Sequence, residues 1–129
     1  MKLTTNFSKE EFDSHDGAQM SNDILGNIKM VAQNLQVLRD YFGKPIKVNS
    51  GYRSPEHNAK VGGSPSSQHK LGKAADIVVS GETPERVLET IEQLIDTGQM
   101  QQGGLGLYDT FVHYDIRGTK ARWDYSKNK

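Results

Sequence analysis

Between Asn22 and Phe42, the residues Ile24, Leu25, Ile28, Val31, Ala32, Leu35, Leu38 and Phe42 recur at spacings of three and four. That period puts apolar side chains on one face of an α-helix and leaves the other face polar. A stripe of this kind is stable only when a second layer covers it. Gly43-Lys44-Pro45 ends the pattern. A second stripe, Val87, Leu88, Ile91, Leu94 and Ile95, predicts a helix from Pro84 to Thr97, opened by Thr83-Pro84-Glu85 and closed by Gly98. Shorter segments supply the covering layer. Ile46 to Asn49 alternates as a short strand, and Ala74 to Val79 reads as a buried one. Gly104 to Tyr108 and Phe111 to Arg117 read as two strands joined by a tight turn at Asp109-Thr110. Ser8 and Glu11 form the pattern of a capping box on a short helix over 7–12. A further short helix is predicted from Pro55 to Lys60, with proline at its first position. The segment Val61-Gly62-Gly63-Ser64-Pro65-Ser66-Ser67 must be loop. Helices come early and strands late, which predicts an α+β fold: a mainly antiparallel sheet with helices packed on one side.

The chain has 129 residues, a length that fits one domain spanning 1–129. A domain of this size buries about two-thirds of its unfolded surface, enough for a core without disulfides. Sixteen basic and sixteen acidic residues cancel. That balance argues against general binding to nucleic acid or to a membrane surface, which needs a basic excess. Lys120, Arg122, Lys127 and Lys129 crowd the C-terminus and read as a solvated tail. The N-terminus, Met-Lys-Leu-Thr-Thr-Asn-Phe-Ser, lacks an apolar run of signal-peptide length, so no cleaved signal is expected. No segment approaches the roughly 18 apolar residues of a membrane span. A monomer is expected.

Two stretches carry the chemistry. Ser67-Gln68-His69-Lys70-Leu71-Gly72-Lys73-Ala74-Ala75-Asp76 offers an imidazole and a carboxylate, and Phe111-Val112-His113-Tyr114-Asp115 offers a second imidazole. Three such ligands with one open position are what a catalytic zinc ion needs. A structural zinc site usually fills its positions with thiolates, and this chain has no cysteine. A strand histidine is more often a partner of some backbone carbonyl than a ligand. Asp76 is harder to dismiss, because it enters a strand that continues Ile-Val-Val. Burying a carboxylate costs several kcal/mol unless it is paired or bound to metal.

The set Ser67-x-His69-x-x-Gly72-x-Ala74-x-Asp76 with a later histidine resembles the motif of the zinc D-alanyl-D-alanine peptidases of the M15 group. Asn6-Phe7-Ser8, Glu11-Phe12, Ser50-Gly51-Tyr52-Arg53-Ser54, Gly62-Gly63, His113-x-Asp115-x-Arg117 and Ala121-Arg122-Trp123 extend the likeness over most of the chain and resemble the small phage-type branch. The resemblance implies the fold shared with the hedgehog signalling domain. It implies that His69, Asp76 and His113 bind Zn2+, with water in the fourth position. It implies that Arg53 grips a substrate carboxylate, for which a planar guanidinium is suited, and that Ser67 helps to hold substrate. The structural alternatives are an arginine that ties down its turn and a serine that caps its loop.

One position departs from the family. Many M15 members carry a glutamate three residues before the last histidine as the proton-transferring base. Here that position is Thr110. Asp115 and Asp109 are the nearest carboxylates. Asp115, on the His113 face of its strand about 7 Å along, is preferred; its alternative is an ion pair with Arg117 or Arg122. Asp109 is equally an ordinary turn residue. The function expected is a zinc peptidase acting on peptidoglycan stem or cross-link peptides. A D-alanyl bond is the first expectation and an L-alanyl–D-glutamate bond the second. The expected setting is phage or prophage lysis, cytoplasmic until release to the wall, or a virion. The missing glutamate favours the alternative, a non-catalytic wall-binding or virion module that keeps the fold, with or without the zinc.

Overall fold

A computed structural model describes residues 1–127; Lys129 of the expected basic tail lies outside them. Helix α1 runs Asn22–Phe42, capped by the Ser21 hydroxyl, which accepts from the Ile24 N–H, and ended by Gly43 in the left-handed region. Strand β1 is Ile46–Ser50, helix α2 Pro55–Lys60, strand β2 Ala74–Val79 and helix α3 Pro84–Asp96. Strands β3 (Gly104–Leu107), β4 (Val112–Asp115) and β5 (Ala121–Asp124) follow. Two short 3-10 turns complete the set, at Lys9–Phe12 and Gln68–Leu71. The first carries the expected capping box between Ser8 and Glu11. No helix among the described residues is long and apolar enough to cross a membrane.

The five strands form one sheet in the order β1-β2-β4-β3-β5. All neighbours are antiparallel except β3 and β5, which run parallel. The α+β architecture with a mainly antiparallel sheet is therefore as expected from the order of elements. The core joins Ile28, Val31, Leu35 and Leu38 of α1 and Val87, Ile91 and Leu94 of α3 to the sheet residues Ala75, Ile77, Val112, Tyr114 and Leu105. These sheet residues alternate with Asp76, His113, Asp115 and Gly106, so the period-two rule sends the second group to the opposite face.

Three details depart from the expected elements. Strand β4 stops at Asp115 rather than Arg117, because the chain turns there: the Asp115 carboxylate accepts the Arg117 backbone N–H at 3.2 Å, and the Ile116 N–H donates to the Lys73 carbonyl at 3.0 Å. The loop before His69 ends in a 3-10 turn whose N-cap is Ser67, and Gly72 closes it at φ +71°. A side chain at Gly72 would also come within 2.8 Å of the Ile24 side chain. Strand β5 was not expected. It has no apolar alternation, being half-exposed along its length. Side-chain chemistry holds it instead: Arg122 makes two hydrogen bonds of 2.8 Å to Glu92 of α3 and bonds the Gly103 carbonyl at 2.6 Å.

Candidate metal centre and cleft

One rung of the sheet organises the site. Ser50, Asp76, His113, Gly106 and Trp123 are paired in register from β1 across to β5. Asp76 and His113 therefore stand side by side on the face away from α1 and α3. His69 reaches the same point from the 3-10 turn that Ser67 caps, its position fixed by the Arg53 N–H donating to the His69 carbonyl at 3.0 Å. All three side chains are buried.

The outer partners of each ring determine what faces inward. His69 Nδ1 lies 2.7 Å from the Gly51 carbonyl oxygen, which only accepts, so Nδ1 carries the proton. His113 Nε2 lies 2.7 Å from Asp115 Oδ2 and donates to it. In their neutral forms, His69 Nε2 and His113 Nδ1 are then both bare lone pairs. Both point at Asp76 Oδ1, from 3.2 and 3.1 Å. The three atoms lie within 4.8 Å of one another. Three acceptors aimed at one point require a proton or a cation between them. Burial alone would raise the pKa of Asp76, but hydrogen bonds from His113 and His69 and their charges hold it well below the usual carboxylate range. Burial likewise opposes a charged His113, yet Asp115 and Asp76 together raise its pKa. A divalent cation would replace those shared protons. Two imidazoles and one carboxylate are a donor set that suits such an ion with a position left open.

Asp115 is fully buried. Its Oδ1 accepts from Gly104 N–H at 2.8 Å and Arg117 Nε at 2.9 Å; its Oδ2 accepts from His113 Nε2 and from the Arg117 guanidinium at 2.8 Å. The expected alternative of an ion pair is realised with Arg117, whereas Arg122 pairs with Glu92. Burial pushes the Asp115 pKa up, but His113, Arg117 and the Gly104 N–H hold it far below the usual range. Asp109 is exposed, and its Oδ1 accepts the Lys127 N–H at 2.7 Å. Neither of the two carboxylates considered for proton transfer lines the cleft over the three converging side chains. Asp115 sits behind His113, on the ring nitrogen that faces away from Asp76, and Asp109 stays at its turn.

The cleft has a volume of about 720 Å³. Arg53 and Ser67 both line it. The Arg53 guanidinium lies 3.3 Å from Asp76 Oδ2, 3.1 Å from the Ser50 hydroxyl and 3.4 Å from the Asn58 side-chain oxygen. The Ser67 hydroxyl accepts the His69 N–H at 3.2 Å, so the loop-capping reading of Ser67 holds alongside its place in the cleft. The opposite wall is aromatic: Tyr108, Phe111, Trp123 and Tyr125. Tyr108 stacks on Phe111 with centroids 4.4 Å apart, and the Trp123 ring lies 5.0 Å from that of His113. The Arg117 guanidinium sits 5.6 Å above the Trp123 ring.

The family likeness of Ala121-Arg122-Trp123 assigns Trp123 no role; its place in the cleft wall follows from β5 pairing with β3. Gly106 was the available signal. A side chain there would come within 2.2 Å of Trp123 Nε1, so the indole lies directly over this glycine. Tyr114, by contrast with Tyr108, lies in the core with the helices and is fully buried. His15 and His57 are not among the three converging side chains and face each other, with centroids 5.6 Å apart.

Comparison with known proteins agrees with this geometry. The zinc D-Ala-D-Ala carboxypeptidase of Streptomyces albus G is 44% identical over 52 residues, covering 40% of this chain and 20% of that protein. The match thus spans about a fifth of the relative's length. A profile described as peptidase M15 matches residues 3–115, which take in all three converging side chains. With that match covering most of its length, the chain belongs to the peptidase M15 family.

Proposed function

We propose that this chain is a zinc metallopeptidase that hydrolyses a peptide bond in peptidoglycan stem or cross-link peptides. The observation that carries the reading is the convergence of His69 Nε2, Asp76 Oδ1 and His113 Nδ1, with both ring tautomers set from outside. When bound there, zinc supplies an acidified water and a Lewis acid for the scissile carbonyl. The remaining work falls to the chain. Asp115 keeps the His113 lone pair aimed at Asp76 and makes the imidazole a better ligand, a positioning role. Gly51 does the same for His69 through its carbonyl. Arg53 holds Asp76 and offers its exposed edge to a substrate carboxylate. Ser67 fixes the backbone at His69 and presents its hydroxyl to the cleft. A D-alanyl bond is the first choice of substrate, supported by the carboxypeptidase from Streptomyces albus G; an L-alanyl–D-glutamate bond is the second. A setting in phage lysis or on a virion rests on the motifs shared with the small phage-type branch.

A second reading has its own observation. Asp76 is the only carboxylate among the described residues that lines the cleft, so a dedicated carboxylate base is missing. A zinc-holding wall-binding module would look the same. Purified protein incubated with muropeptides, with and without chelator, separates the two by mass spectrometry. Chelator-sensitive release of D-alanine or a peptide is expected. Stoichiometric zinc with no cleavage of any muropeptide would establish the binding module instead.

A further inference from the structure

Resting on the peptidase reading, we propose that the Tyr108 hydroxyl is a catalytic residue: a hydrogen-bond donor to the oxyanion that forms when the scissile carbonyl is attacked. The placement follows from the rung that holds the ligands. Gly106 pairs with His113, and the Trp123 indole lies over Gly106. Trp123 Nε1–H donates to the Tyr108 hydroxyl at 3.0 Å. The indole thus fills the acceptor side of the phenol oxygen and leaves its own proton for another acceptor. Among the described residues no group takes that proton. The Tyr108 ring is held from its other side by the Phe111 stack, inclined by 8°. Two fixed neighbours therefore set both the ring and the hydroxyl in the wall facing the three ligands.

The two arginines lining the cleft are committed to other tasks, Arg53 in part to the substrate carboxylate. Arg117 is bound by both arms to Asp115, and Arg53 is shared among Asp76, Ser50 and Asn58. Burial and the negative charge of Asp76 raise the Tyr108 pKa despite the indole hydrogen bond. The phenol keeps its proton at neutral pH, which suits it to donate a hydrogen bond and unsuits it as a base. A donor held in advance at developing charge accelerates reaction without reorganising, and loss of one such donor lowers kcat by about 10²–10³-fold.

The test compares wild type, Tyr108→Phe and Trp123→Phe in the zinc-loaded protein. Four quantities are read: zinc content, kcat, KM and the calorimetric affinity for a phosphinate dipeptide, whose tetrahedral oxygens mimic the oxyanion. Tyr108→Phe is expected to keep one zinc per chain and an unchanged KM, to lose about 10²-fold in kcat, and to lose phosphinate affinity in parallel. Trp123→Phe leaves the hydroxyl in place without its orienting donor and should fall between the two. A Tyr108→Phe protein with wild-type kcat and phosphinate affinity would overturn the assignment, as would one that loses its zinc. Wild-type protein that binds zinc without cleaving any muropeptide would instead overturn the peptidase reading itself.

Discussion

The two faces of the sheet are built from alternate residues of the same two strands, β2 and β4, yet they are held by different physics. Toward α1 and α3, Ala75, Ile77, Val112 and Tyr114 are sealed in a continuous apolar core. On the other face, Asp76, His113 and Asp115 are also buried but polar, each satisfied by a named partner. Among the described residues no buried side-chain nitrogen or oxygen lacks a hydrogen bond. The apolar face is insensitive to direction, since hydrophobic burial scales with area. The polar face depends on which atom points where, because an unpaired buried charge costs far more than a lost methyl group. A fold and a site can therefore share strands while remaining separately breakable.

The largest expected effect lies on the polar face. His113→Ala removes one of the three proposed ligands but leaves Asp115 neutralised by Arg117, so the protein should fold, bind no zinc and show no turnover. His69→Ala should do the same. Elemental analysis and muropeptide assays check this, and either variant with full zinc and activity would reassign the ligands. On the opposite face, Ile77→Ala should lower unfolding free energy by about 2–5 kcal/mol. The zinc content of its folded fraction should not change. Loss of zinc at temperatures where circular dichroism shows Ile77→Ala still folded would show that the faces are not separable.

Smaller effects sharpen the contrast. Asp115→Asn tests positioning against base catalysis. As a positioning residue it should weaken zinc affinity by about 10–100-fold, with turnover largely restored by excess zinc. A loss of about 10²–10⁴-fold in kcat at saturating zinc would be the mark of a general base and would return that role to Asp115. The smallest effect lies outside both faces. Hydrogen bonds from the Ser54 and Ser14 hydroxyls and the Ala18 N–H lower the Asp16 pKa from 3.8 to about 2. A depressed carboxylate pKa stabilises the fold above its unfolded value, and that contribution disappears as pH falls through the folded value. The stability difference between wild type and Asp16→Asn should thus be constant above about pH 5 and its pH-dependent part should fall away between about pH 5 and pH 1. A difference unchanged between about pH 5 and pH 1 would show that the charge is irrelevant there.

The same division explains how much could be read from the sequence. The α1 stripe and the β2 run announced themselves through periodicity, because apolar burial repeats with the backbone. His69, Asp76 and His113 stood out by residue type and by their likeness to a family motif. Strand β5 did not, because Arg122 and Trp123 hold it by individual contacts with Glu92, Gly103 and Gly106 that no period encodes. The place of Asp115 was also hidden. Its strand face was right, but only coordinates reveal that it meets His113 Nε2 rather than the cleft. Alternation specifies a face; it does not specify which nitrogen of a neighbouring ring is met.

The most direct measurement is anomalous diffraction at the zinc absorption edge from crystals of the zinc-loaded protein. One peak per chain is predicted, about 2.0–2.2 Å from each of His69 Nε2, Asp76 Oδ1 and His113 Nδ1, with Asp115 still bonded to His113 Nε2. A peak ligated through His113 Nε2, or elsewhere in the molecule, would refute the site.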